Sequence, residues 1–288
     1  MSPTIQGALW MIGAIFSFTA MAVAGRAISF ELDTFEIMMY RSFIGIAVVL
    51  LVARAAGTVG QINRRNLGLH FARNVAHFFG QNCWFYALTL IPLAQLFALE
   101  FTSPIWVLLL APIFLGERLT WTKLGSAALG FVGVLIVARP DFGQVDPGII
   151  FGAAAALGFA GSAIFTKILT RTETITCILF YLTVMQAVFG VLCASFDGDV
   201  ALPSSVSIPW LVLIGFAGLV AHFCMTKALS LAPASVVMPV DFVRLPLIAL
   251  LGMAVYGEAL DAWVFLGAAL IFAANYLNIL REARMAKM

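Results

Sequence analysis

Residues 86–137 and 227–278 carry the same pattern written twice, 141 positions apart. Tyr86-Ala-Leu-Thr-Leu-Ile-Pro92 answers Lys227-Ala-Leu-Ser-Leu-Ala-Pro233, and Leu115-Gly-Glu-Arg-Leu119 answers Tyr256-Gly-Glu-Ala-Leu260. Ala127-Ala-Leu-Gly-Phe131 likewise answers Ala268-Ala-Leu-Ile-Phe272. The same ungapped shift pairs Gly7 with Gly148, Phe18 with Phe159, Tyr40 with Tyr181 and Cys83 with Cys224. A shift that aligns glycines, a proline and a glutamate in each half denotes a duplicated unit. Weak internal symmetry in an apolar chain is the mark of many transporter folds.

The chain is 62% hydrophobic and 10% charged, with a mean hydropathy of +1.04. Soluble domains carry about 25% charged residues, so these values imply an all-α integral membrane protein. Ile5 to Gly25 has no basic segment before it, and reads as a retained first helix rather than a signal peptide. Cys83, Cys177, Cys193 and Cys224 fall inside apolar stretches, without a CxxC or a histidine companion. They are expected to be buried small hydrophobes, so no metal and no cofactor is expected. There is no GxxxxGK[ST] loop to drive transport with ATP, and no HExxH or GxSxG motif to support an enzyme.

Apolar windows of about 20 residues, enough to span roughly 30 Å of hydrocarbon, predict ten spans. They lie near 5–25, 35–53, 69–90, 94–115, 122–138, 149–168, 175–195, 209–231, 235–256 and 262–280. With the N-terminus inside, the inner loops and tail hold Arg54, Arg64, Arg65, Arg118, Lys123, Lys167, Arg171, Arg281, Arg284 and Lys287. The outer connections hold only Arg26 and Arg139, among acids such as Glu31, Asp33, Asp141, Asp197, Glu258 and Asp261. The positive-inside rule then places both termini in the cytoplasm of a multi-pass bacterial inner-membrane protein. The chain divides into a first repeat, 1–140, a second, 148–281, and a basic cytoplasmic tail, 282–288. Five spans per repeat is odd, so the second enters the membrane inverted, and such a pair builds a midplane cavity that opens to alternate sides.

Ala87-Leu88, Pro92 and Gly116-Glu117, repeated as Ala228-Leu229, Pro233 and Gly257-Glu258, form a recognisable set. With ten spans in two fives, the chain resembles the EamA branch of the drug/metabolite transporter superfamily. The likeness runs from about Gly7 to Leu280. Around Arg73 to Tyr86 and Phe101 to Trp106 it looks most like the aromatic-amino-acid exporters. The resemblance implies that helices 3, 4, 8 and 9, with 1 and 6, surround a central cavity, while 5 and 10 lie at the periphery.

Ionisable residues inside a membrane are expensive, and so are candidates for function. Glu100 and Asp241 are symmetry mates in helices 4 and 9. Either recognises a substrate amine, couples protons or simply ties the bundle together. Arg244, three residues after Asp241, shares its face, whereas Glu100 has only Arg41 or Arg73 to reach across helices. His77, Gln81 and Trp84 share one face of helix 3 beside Phe78, and His222 is the mate of Gln81. With Phe101, Ser103 and Trp106 these residues suit a wall that binds a zwitterion with an apolar side chain; interhelical bonding is the bland alternative. Tyr40 and Tyr181 gate or pack. Pro104, Pro112, Pro239 and Pro246 kink helices 4 and 9.

The expected function is secondary transport: export, by alternating access, of amino acids that are aromatic or otherwise bulky and apolar. The alternatives are a broader drug/metabolite or nucleotide-sugar carrier and, further off, a lipid-modifying enzyme. The expected partners are a small-molecule substrate and the bilayer, with no nucleic acid, and one chain suffices as a monomer.

Overall fold

A computed structural model gives an all-helical chain. It describes residues 3–138, 146–196, 198–257 and 262–285, with backbone alone for 138, 235, 239, 242, 246, 271, 275 and 277–285. Arg139, Asp141, Asp197, Glu258, Asp261 and Lys287 lie outside the described residues, as do the side chains of Pro239, Pro246, Arg281 and Arg284. The first half contains α1 (Pro3–Ile28), α2 (Thr34–Ala55), α3 (Leu67–Leu90), α4 (Leu93–Glu100), α5 (Ser103–Leu115) and α6 (Trp121–Ala138). The second contains α7 (Pro147–Leu169), α8 (Ile175–Ala194), α9 (Ser207–Leu231), α10 (Ala234–Val237), α11 (Arg244–Tyr256) and α12 (Ala262–Met285). A 3₁₀ turn over Met238–Val243 joins α10 to α11.

Among the described residues, six stretches are long and apolar enough to cross a membrane: α1, α2, α4 with α5, α7, α8 and α9. The polar residues of α3 keep it out of that set, although it is 24 residues long. The apolar stretches of α6, α11 and α12 are shorter.

Shifting α5 by 141 positions gives α11, end for end, and the other helices correspond to within a few residues. The contacts repeat as well. The most extensive pairings are α1 with α9, α3 with α7, α6 with α12 and α2 with α8. Exchanging the halves turns the first pair into the second and returns each of the last two to itself. Glycine permits a close approach between α3 and α7. A Cβ on Gly158 would lie 2.6 Å from Gly80 Cα and 2.8 Å from the Ala76 carbonyl.

The fourth span is not one kinked helix. It stops at Glu100 and restarts at Ser103. Continuing through Pro104 would leave the Glu100 carbonyl without its N–H and drive the proline ring into it. The chain breaks one turn earlier instead, and Pro104 sits at the start of α5, where a missing N–H costs nothing. Thr102 Oγ1 closes the break by donating to Leu99 O at 2.8 Å. Pro112, in contrast, lies inside α5.

The repeated Gly-Glu has a structural cause. Gly116 (φ 69°) and Gly257 (φ 66°) end α5 and α11 in the left-handed conformation that glycine adopts without strain. Glu117 then accepts a 3.0 Å hydrogen bond from the backbone N–H of Ala234, capping α10 in the other half.

Candidate functional site

Both halves line one small cavity that has polar side chains in its wall. Thirteen residues line it, and ten of them are five symmetry pairs: Phe18 and Phe159, Met21 and Ser162, Gln81 and His222, Trp84 and Met225, Glu100 and Asp241. His77, Met238 and Arg244 complete the wall. A cavity walled by equivalent positions of both halves lies on the axis that relates them. Its volume, about 50 Å³, is far below the roughly 300–1,000 Å³ of pockets that engulf small organic ligands.

The break in the fourth span positions the acids. Glu100 is the last residue of α4, and Asp241 sits in the 3₁₀ turn before α11. Both bind Arg244, which donates to Glu100 Oε1 and, at 2.5 Å, to Asp241 Oδ2. Trp84 Nε1 donates to Glu100 Oε2 at 2.6 Å. The guanidinium lies over the rings of Phe97, Phe18 and Phe101, with centroids 4.8, 5.1 and 5.4 Å away. Arg244 is 2% exposed. The partner of Glu100 is thus Arg244 of the other half, not Arg41 or Arg73, because the two broken helices bring their midpoints together.

Deeper along α3 and α9 the wall is neutral and polar. The His77 and His222 rings meet edge to face at 4.6 Å. His77 Nε2, Gln81 Nε2, Ser162 Oγ, both His222 nitrogens, Asp241 Oδ1 and Arg244 Nε have no hydrogen-bond partner among the described residues. Buried polar atoms are ordinarily paired, and here several without a partner among the described residues converge on one cavity. His222 also borders a smaller compartment lined by Arg41, Ser42, Thr183 and Gln186. Arg41 is 6% exposed and Arg73 0%. Arg41 donates to Met21 Sδ, and Arg73 donates to Thr166 Oγ1 and Asn74 Oδ1. No carboxylate forms a salt bridge with either guanidinium among the described residues.

Not every expected residue reaches the cavity. Trp106 is 39% exposed on the outer side of α5, placed there by the restart of the helix at Ser103. Phe78 lines a separate apolar groove of about 570 Å³ with Phe35 and Phe189. Phe101 is buried beneath Arg244, and Ser103 is buried off the cavity wall. Tyr40 donates to the Ala201 carbonyl at 2.7 Å, while the Tyr181 ring packs on His70. Phe18, Met21, Phe159, Met225 and Met238 were missed, because apolar residues in apolar helices give no local signal, and Ser162 was missed because a lone small hydroxyl among glycines and alanines reads as packing. The 141-residue offset did pair Phe18 with Phe159, which was the available clue. Cys177 also departs from expectation, since the fold supplies the histidine neighbour that its sequence context lacks.

A cavity shared by two repeats inside an apolar helical bundle defines a membrane transporter. The EamA-like transporter family model matches the chain twice, at residues 5–139 and 146–280. The chain belongs to that family. It is 26% identical over 280 residues to an S-adenosylmethionine uptake transporter of Rickettsia felis, covering 97% of this chain and 94% of the relative. It is 33% identical over 222 residues to a riboflavin transporter of Brucella anthropi, covering 75% and 78%. A pseudopaline exporter of Pseudomonas aeruginosa is 28% identical over 273 residues, covering 93% and 94%. One crystal structure superposes with a TM-score of 0.77 at 19% identity, covering 97% of this chain and 98% of that one. That likeness speaks to the fold alone. The names of these relatives carry transport but not the export of aromatic amino acids.

Proposed function

We propose that the chain is a ten-span carrier of a bacterial inner membrane, with both termini cytoplasmic. Its two inverted five-span halves rock about the axial cavity and move amino acids outward, aromatic and bulky apolar ones best. The observation that carries this reading is the cavity itself: five symmetry pairs around unpartnered buried polar atoms. Inverted repeats place a midplane site where each half alternately opens.

The charges suggest which molecule fits. Glu100 and Asp241 share a single arginine, leaving negative charge to attract an ammonium group. Arg41, which lines the compartment beside His222, forms no salt bridge with a carboxylate among the described residues and suits a substrate carboxylate. Phe18, Trp84 and Phe159 offer aromatic faces between the two ends. S-adenosylmethionine, named for the Rickettsia relatives, is itself an α-amino acid bearing an aromatic base. The riboflavin relatives favour a second reading, in which the aromatic walls select a flat uncharged ring.

Counterflow in proteoliposomes separates the two. Vesicles preloaded in turn with tryptophan, phenylalanine, threonine, S-adenosylmethionine or riboflavin would be exposed to the labelled form of the same compound. Uptake of the zwitterions without riboflavin supports the amino-acid reading; uptake of riboflavin alone overturns it.

A further inference from the structure

His70 at the start of α3, Glu173 in the α7–α8 connection and Cys177 in the first turn of α8 meet although more than a hundred residues separate the first from the others. One ligand atom from each lies within 4.8 Å of the others, and all three residues are buried. Cys177 Sγ is 3.9 Å from His70 Nε2. In a zinc site, bonds of about 2.3 Å to sulfur and 2.0 Å to nitrogen put these atoms roughly 3.5 Å apart, so the pair needs to close only slightly. His70 Nδ1 has no hydrogen-bond partner among the described residues.

The surroundings are those of a metal carboxylate. Asn63 and Asn66 donate to the two oxygens of Glu173 at 2.7 and 2.5 Å, fixing its plane. Such outer partners orient ligating groups in metal sites. The other end of the molecule lacks this set. The symmetry mates of His70, Glu173 and Cys177 are Leu211, Leu32 and Glu36. A seam exists there too, with Ser204 and Ser207, the mates of Asn63 and Asn66, holding Glu31. Duplication therefore accounts for the seam, but not for the histidine and cysteine added on one side.

We propose that His70, Glu173 and Cys177 bind a divalent cation of borderline softness, zinc foremost, through one nitrogen, one carboxylate oxygen and one thiolate. A mixed N/O/S donor set suits zinc rather than magnesium or calcium. Binding releases the thiol proton to solvent, with no change of redox state. The ion ties the start of α3 in the first half to the α7–α8 connection and the first turn of α8 in the second. The proposal is independent of which substrate the carrier moves.

The test uses purified, tag-free, full-length protein in detergent, stripped with chelator and titrated with cobalt(II), then zinc. The expected result is one cobalt per chain with a thiolate-to-metal charge-transfer band, displaced by zinc. Binding should be lost in Cys177→Ser and His70→Ala and retained in Cys193→Ser. Asn66→Ala should weaken it about 10- to 100-fold, as the loss of an outer partner does. Wild-type protein that takes up no cobalt, or gives no thiolate band, overturns the proposal without recourse to any variant. So does binding that survives in both ligand variants.

Discussion

Arg26 and Lys167, 141 positions apart, make the same contact in the two halves. Arg26 donates to the carbonyls of Leu88 and Ile91 at 3.1 and 2.7 Å, where α3 ends. Lys167 donates to Leu229 and Ala232, the mates of those residues, at 2.7 and 2.8 Å, where α9 ends. In each half the cation at the end of the first helix satisfies carbonyls that the third helix leaves unpaired, at the negative end of its dipole. Arg26, which the charge rule left as an exception, is thus a structural fitting.

Removing either contact should cost a similar amount. Arg26→Gln and Lys167→Gln are each expected to lower stability by about 1–2 kcal/mol, in line with partly buried cations at helix C-termini. Thermal unfolding of each variant in the same detergent checks this. A large loss from one and none from the other would break the equivalence.

The cluster of Glu100, Asp241 and Arg244 should show the asymmetry of buried ion pairs. Arg244→Met leaves two carboxylates facing each other inside the bundle, a loss of about 3–5 kcal/mol. The triple variant Arg244→Met, Glu100→Gln, Asp241→Asn removes the stranded charges and should recover most of that loss. Denaturation of the single and triple variants measures the difference.

The α3–α7 contact leaves no room for a methyl group. Gly158→Ala places a Cβ against Gly80 and the Ala76 carbonyl, both backbone. Overpacking of this kind costs about 1–3 kcal/mol. Gly125→Ala, inside α6 with nothing near its added Cβ, serves as the control and should show no loss in the same unfolding assay, with a gain of up to about 1 kcal/mol from helix propensity.

Acid should loosen the seam at Glu31. The Ser207 hydroxyl first, and then the Ser204 backbone N–H, hold this carboxyl below its ordinary value of 4.5, against a smaller opposing effect of burial. A carboxyl lowered in the folded state contributes stability that is fully present above 4.5 and lost as pH falls through the folded value. Wild-type protein should therefore lose more of its unfolding temperature than Glu31→Gln between neutral pH and the range below 4.5. Parallel curves would show that the seam contributes nothing.

The duplication was legible in the sequence because membrane helices tolerate few insertions, so one shift survived across both halves. The helix positions followed from the length of apolar runs. The break before Pro104 was not read correctly, since a proline disrupts the turn that precedes it. Trp106, beyond that break, lies 39% exposed and away from the cavity. His77, Gln81, Trp84, Glu100 and His222 were visible because polar groups stand out in an apolar chain. Their apolar neighbours Met21 and Met225 were not. His70, Glu173 and Cys177 have no informative spacing, and only tertiary packing joins them.

The central claim is that equivalent residues of both halves form one transport site on the axis. The direct measurement is the initial counterflow rate of Gln81→Ala and His222→Ala, inserted and folded like wild type, with whichever labelled amino acid the wild type carries. Both variants are predicted to lose at least about tenfold in rate, the equivalent of about 1.4 kcal/mol. Wild-type rates in both would place the site elsewhere.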